Sequence, residues 1–154
     1  MNIISLLKIF SKFSEVKAFE FYPPFWFMGV KIKKITDDYR QIDVTVPIRW
    51  YAKNAHGSLF GGFLCAVSDP LAALLCGKIF PGSEVWTKEH HIDFLRPAKS
   101  RLHLSVIVTQ EHVDLIEKEL NEKGQCQPVF ESYFLDEKDK KIAKVINTVF
   151  IRRK

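Results

Sequence analysis

The sequence predicts an α+β fold: a curved, largely antiparallel β-sheet wrapped around one long central helix. Three observations carry this. Six segments have the alternation or β-branched content of strands, and they fall in runs rather than alternating with helices. One stretch near the middle, from about Gly61 to Ile79, is apolar nearly all round, as expected of a helix enclosed by protein. No repeat, low-complexity segment or Gly/Ser linker divides the 154 residues, so a single core must serve the chain.

The N-terminal run MNIISLLKIFSKFSEVKAF places Ile3, Leu6, Leu7, Phe10 and Phe13 at helical spacing, with Lys8, Lys12, Glu15 and Lys17 mostly on other faces. It reads as an amphipathic helix over residues 1–22. It does not read as a signal sequence, because Lys8 splits its apolar part and no small-residue cleavage site follows. Residues 23–154 form the main domain. YPPFWFMG comes next, where Pro23-Pro24 is expected to stop helical structure and the aromatics to be buried. Residues 30–36 and 40–46 then alternate apolar and polar as a hairpin, with Asp37-Asp38 in the turn.

The apolar helix follows and ends at Pro81-Gly82. Beyond it four more strands are expected, within EVWTKEHHIDFLRP, RLHLSVIVT, QPVFESYFLD and KIAKVINTVFIRR. Between the second and third of these, HVDLIEKELNEKG has helical spacing through Val113, Ile116 and Leu120, with Gly124 as its cap. Asp136 to Lys141 makes a charged hairpin loop. No run reaches the roughly 18 uninterrupted apolar residues of a membrane span.

Composition narrows the partners. Thirteen Phe imply a wide core, a greasy cavity or a subunit contact. The net charge of +5 and pI near 9.1 suit an anionic partner. Yet outside KIKK at 31–34 and the terminal RRK the cations are scattered, and no nucleic-acid motif accompanies them. Three cysteines, Cys65, Cys76 and Cys126, lack C-x-x-C spacing, so neither a disulfide framework nor a zinc site is expected. That usage fits a cytoplasmic chain with reduced thiols. His90 and His91 are adjacent on a strand and so face opposite ways, which makes no paired metal site.

The stretch NAHGSLFGGFLCAVSD, together with HIDFLRP and the order of elements, resembles the hotdog-fold acyl thioesterases, especially the phenylacetyl-CoA thioesterase type, over roughly residues 25–152. In that group a loop and helix start carry N-x5-H-G-G-x6-D, and a later strand ends near D-F-L-x-P. Asn54, Gly61, Gly62 and Asp69 keep the first spacing, and Asp93, Phe94, Leu95 and Pro97 match the second. Phe60 stands where the pattern has His. A poorly characterised branch of the superfamily is more similar still, with Phe before the Gly pair, P-x-R-W before the loop (Pro47 to Trp50), D-P in the helix (Asp69-Pro70) and W-x-K in the next strand (Trp86 to Lys88).

The resemblance implies hydrolysis of an acyl-CoA or similar thioester, without a cofactor, by a homodimer or homotetramer. Such chemistry needs donors for the oxyanion and a carboxylate that activates water or attacks directly. Gly61 and Gly62 at a helix N-terminus offer unpaired N–H groups and an open backbone; alternatively they only permit a tight turn. Asp69 is the candidate base or nucleophile; alternatively Asp69-Pro70 is an N-cap and N1 pair restarting a broken helix. Asn54 orients water or the thioester carbonyl, or is a turn residue. Phe60, Gly62, Trp86 and Lys88 are the candidate substrate contacts.

Eight residues of helix separate Gly61 from Asp69 by about 12 Å. One copy cannot easily bring both to one carbonyl. The resemblance implies two antiparallel copies across a dimer axis, so that each site uses Gly61 of one subunit and Asp69 of the other. Since Phe60 cannot transfer protons, a non-catalytic module that binds an acyl or other apolar ligand is the second expectation.

Overall fold

The structure, a computed structural model, describes residues 15–154. The amphipathic positions Ile3 to Phe13 lie outside the described residues. Two short helices come first, α1 (Glu15–Glu20) and α2 (Pro23–Met28). Here the structure departs from the sequence reading. Pro23 and Pro24 open α2 instead of stopping a helix, since the first helical positions need no N–H and favour the φ that proline imposes. Phe25 and Met28 are buried as expected, but Tyr22, Trp26 and Phe27 are exposed.

The strands are β1 (Lys31–Ile35), β2 (Gln41–Val46), β3 (Ser83–Phe94), β4 (Leu102–Ile107), β5 (Gln125–Cys126), β6 (Val129–Leu135) and β7 (Lys141–Arg153). They make one antiparallel sheet in the order β1-β2-β4-β6-β7-β3, with the two-residue β5 also paired to β7. Apolar residues alternate inward along β4 and β7, as a sheet with one covered face requires. The covering element is α3 (Gly61–Ile79), whose Leu64, Val67, Leu71 and Leu75 are buried against Ile42, Leu104, Phe134 and Val149 in one core. By length and composition alone α3 could also cross a membrane; here it is the core helix.

The remaining helix, α4 (Gln110–Lys123), starts with a capping box in which the Thr109 hydroxyl accepts from the His112 N–H and His112 Nδ1 accepts from the Thr109 N–H, and ends at left-handed Gly124. His112 is therefore occupied by a structural task.

The sheet has two very different edges. β1 has five residues and a bulge, and the Glu20 carboxylate accepts the Ile32 N–H while pairing with Lys31, which blunts that edge. β3 has twelve residues and, among the described residues, is hydrogen-bonded on one side only, to β7. It carries a bulge at Lys88, between Thr87 and Glu89.

Candidate active site

A cleft of about 670 Å³ opens at the start of α3 between loop 54–60, the first helical turn and segment 94–99. Asn54 shapes the loop. Its Oδ1 accepts the N–H groups of His56 at 2.9 Å and Ser58 at 3.2 Å, and its Nδ2 donates to the Ser58 hydroxyl at 2.9 Å. This is the Asx-turn use of asparagine, although the residue also lines the cleft. The Leu59 N–H donates to the Ala98 carbonyl and the Phe60 N–H to the Ala52 carbonyl, so the loop is tied on both sides.

Phe60 is the N-cap of α3 and has no oxygen with which to cap it, so no side chain receives the first helical N–H groups. Two rings lie over the glycines instead. A Cβ on Gly61 would stand 2.8 Å from Phe94 Cζ, and one on Gly62 would collide with the Phe60 ring. Each glycine thus makes room for a phenyl group. Both rings are more than half exposed, so either can swing away and uncover the backbone. On the far side of Phe60, a second cavity of about 300 Å³ is walled by Pro24, Phe27, Met28, Phe63 and Ala66 and is nearly all apolar.

The middle of α3 is built differently. The helix runs unbroken through Pro70, so Asp69 is a mid-helix residue and not the N-cap of a restarted one. Pro70 provides no N–H and disturbs the local ladder. Side chains from the sheet supply extra bonds there: Thr87 Oγ1 donates to the Asp69 carbonyl at 2.7 Å, and Asn147 Nδ2 donates to the carbonyls of Ser68 and Asp69 at 3.3 and 3.1 Å. Ser68 Oγ donates to the Leu64 carbonyl at 2.7 Å and lies 2.9 Å from His90 Nε2. Asp69 itself is exposed, beside β3.

The bulge explains how β3 reaches this region twice. Thr87 and His90 are three residues apart and would face opposite ways on a regular strand. The extra residue turns both toward α3. Further along, Phe94 meets Gly61, so β3 accompanies the helix from its first turn to Asp69.

The structure therefore brings Asn54, Phe60 and Gly61 together at the cleft, puts Gly62 beneath Phe60, and leaves Asp69 outside. Trp86 and Lys88 also lie away from the cleft: Trp86 stacks on Phe150 at 4.4 Å, and Lys88 Nζ donates to Gln127 Oε1. His91 is exposed while His90 faces the helix, the opposition expected of adjacent strand residues. The sequence does not single out Ser68, Thr87, His90 and Asn147 as a group; the bulge that turns both Thr87 and His90 toward α3 leaves no trace in the alternation.

Burial pushes the Cys76 thiol up to about 12 and the Cys126 thiol up to about 11, and Cys65 is raised by its own partial burial and by the Asp69 charge. All three are poor nucleophiles. Among the described residues, no three His, Cys, Asp or Glu side chains gather as a metal site.

A single antiparallel sheet curled around one long helix is the hotdog fold. Solved structures with this architecture include a probable thioesterase of unknown function from Pseudomonas aeruginosa (20% identity, 83% of this chain and 85% of that one, TM-score 0.74). Others are the PaaI protein of the phenylacetic acid degradation operon of E. coli (20% identity, 90% and 88%, TM-score 0.66) and a thioesterase from Haemophilus influenzae (16% identity, 99% and 92%, TM-score 0.64). At these identities the likeness establishes the fold. The chain belongs to the family described as a domain of unknown function, DUF4442, whose profile matches residues 8–151. No curated protein matches the sequence.

Proposed function

We propose that the protein is an acyl-CoA thioesterase whose site is completed across a homodimer, with Gly61 and Gly62 of one subunit facing Asp69 of the partner subunit. One observation carries the reading: the cleft at the start of α3 has first-turn backbone N–H groups that no described side chain caps and the cations Arg96 and Lys99, yet among the described residues no carboxylate lines it. Asp69 meanwhile stands exposed beside the unpaired edge of β3. A long edge strand without a partner is a ready surface for a second copy. An antiparallel β3–β3 contact would bring each Asp69 toward the other subunit's cleft, and with it Trp86 and Lys88 from the same strand.

In that arrangement the thioester carbonyl approaches the Gly61 and Gly62 N–H groups after Phe94 and Phe60 turn aside. The helix dipole and these donors stabilise the developing oxyanion. Asp69 activates water or attacks the carbonyl carbon, and Asn54 holds the loop that shapes the cleft. Arg96 and Lys99 at the rim suit the phosphates of the carrier, although Arg96 Nη1 also donates to the Lys141 carbonyl at 2.7 Å. The division into an N-terminal helix of residues 1–22 and a hotdog domain from residue 23 belongs to the same proposal.

The test is a panel of acyl-CoA and aryl-CoA thioesters with purified protein. Turnover by wild type that falls at least about 100-fold in Asp69→Asn supports the reading. Unchanged turnover in the variant removes it.

A second reading rests on a different observation: phenyl rings cover both glycines, and an apolar cavity adjoins Phe60. A non-catalytic module would use these surfaces to hold an acyl or other apolar ligand. Retained ligand in native mass spectrometry together with no hydrolysis across the panel would favour it.

A further inference from the structure

The Ser68–His90 contact fixes more than a position. Ser68 is 1% exposed, and its oxygen has the Leu64 carbonyl at 2.7 Å, the Cys65 carbonyl at 3.4 Å and His90 Nε2 at 2.9 Å. A hydroxyl has one proton, and a carbonyl can only accept. The proton therefore points to Leu64, since sending it to the imidazole would leave two oxygens facing each other at 2.7 Å without a hydrogen. The Ser68 oxygen must then accept, and Nε2 must carry the hydrogen. In a neutral ring this leaves the lone pair on Nδ1. Nδ1 has no hydrogen-bond partner among the described residues and is not sealed from solvent.

The surroundings suit a base. Partial burial lowers the His90 pKa below the ordinary histidine range; the Asp69 charge opposes this and His91 adds to it. Asp69 on α3 and His91 on β3 are the titratable groups acting on the ring, and β7 presents the uncharged Asn147 opposite it in register. At neutral pH the ring is thus ready to take a proton, with a carboxylate close enough to favour the imidazolium once formed. His56 lines the cleft, whereas His90 stands with Asp69 at the other half of the proposed site.

We infer that His90 is a catalytic acid–base residue of the composite site, taking a proton at Nδ1 beside Asp69 while Ser68 fixes its tautomer. The inference rests on the thioesterase reading above. In the step it serves, Asp69 orients the water and steadies the imidazolium, while the water bonds to the thioester carbon and gives one proton to Nδ1. The tetrahedral intermediate then expels the thiolate as the C–S bond breaks, and the imidazolium returns the proton to sulfur. One water and one thioester become a carboxylic acid and a thiol, and the ring ends neutral. Ser68 is a positioning residue, since it acts only through the ring.

The experiment combines two measurements on the full chain. Long-range ¹H–¹⁵N correlation spectra of wild type at neutral pH should show His90 as the Nε2–H tautomer, and a ring protonated at Nδ1 would overturn the assignment. Steady-state kinetics on the best thioester should show kcat rising with pH through a His90 pKa below the usual histidine value. In His90→Gln that rising limb should vanish and kcat should fall by about 100-fold. Ser68→Ala should keep the limb with a smaller kcat loss and little change in KM. A His90→Gln enzyme within threefold of wild type, with its limb intact, would overturn the inference and leave the thioesterase reading standing. No hydrolysis by wild type would remove that reading first, and the role of His90 with it.

Discussion

The first turn of α3 and its middle carry the two halves of one proposed chemistry, and they are built to opposite specifications. At the first turn no side chain caps the helix, and exposed phenyl rings rest on Gly61 and Gly62. In the middle, three side chains from β3 and β7 bond to the Ser68 hydroxyl and to the carbonyls of Ser68 and Asp69. The donors are loosely covered, and the backbone that carries the acid is firmly held. A carboxylate must be aimed, whereas backbone N–H groups are aimed already by the helix and need only be uncovered. The proposed composite site follows from the same rod: its two halves sit about 12 Å apart along one helix, so a second copy is needed to join them.

Three substitutions probe the contrast. Asp69→Asn removes the held half and should have the largest effect, a loss of at least about 100-fold in kcat. Because Asp69 is exposed, the melting temperature should hardly move. Gly61→Ala touches the uncovered half. Its methyl group would displace the mobile end of the Phe94 ring, and alanine favours the helix, so stability should stay within about 1 kcal/mol of wild type. Turnover should nevertheless fall by about 10- to 100-fold, because the methyl group stands where the carbonyl must approach.

Asn147→Ala loosens the held half without touching the acid. It strips two carbonyls of a buried donor and should cost about 1–3 kcal/mol in denaturant unfolding. Its effect on turnover should be the smallest of the three, a few-fold loss. If Asn147→Ala lowered activity as much as Asp69→Asn, the division between an aiming scaffold and a reacting group would be wrong.

The fold was legible in the sequence to the level of its elements. Alternation marks the strands because one face of the sheet is covered, and the all-round apolarity of Gly61 to Ile79 marks a helix enclosed by it. The Pro23-Pro24 helix is not legible in the sequence, because proline breaks a helix in its interior but starts one at its first positions. The two-residue β5 leaves no periodic trace, being too short to alternate.

The candidate site was legible only in part. Motif spacing points to Gly61 and Asp69, and helix geometry alone shows that one chain separates them. The ring over Gly61 depends on Phe94 arriving from a distant strand, which no local pattern encodes. The His90 contact depends on a bulge that reverses the expected facing of every residue beyond it.

The most direct test of the composite site is subunit mixing. Asp69→Asn and Gly61→Ala proteins, each well below wild-type turnover alone, are unfolded together and refolded as a mixture. Half of randomly formed dimers are hybrids, and each hybrid has one site with both defects and one with neither. The mixture should recover about a quarter of wild-type turnover per subunit. A mixture no more active than the average of its two components would show that Gly61 and Asp69 do not meet across a dimer.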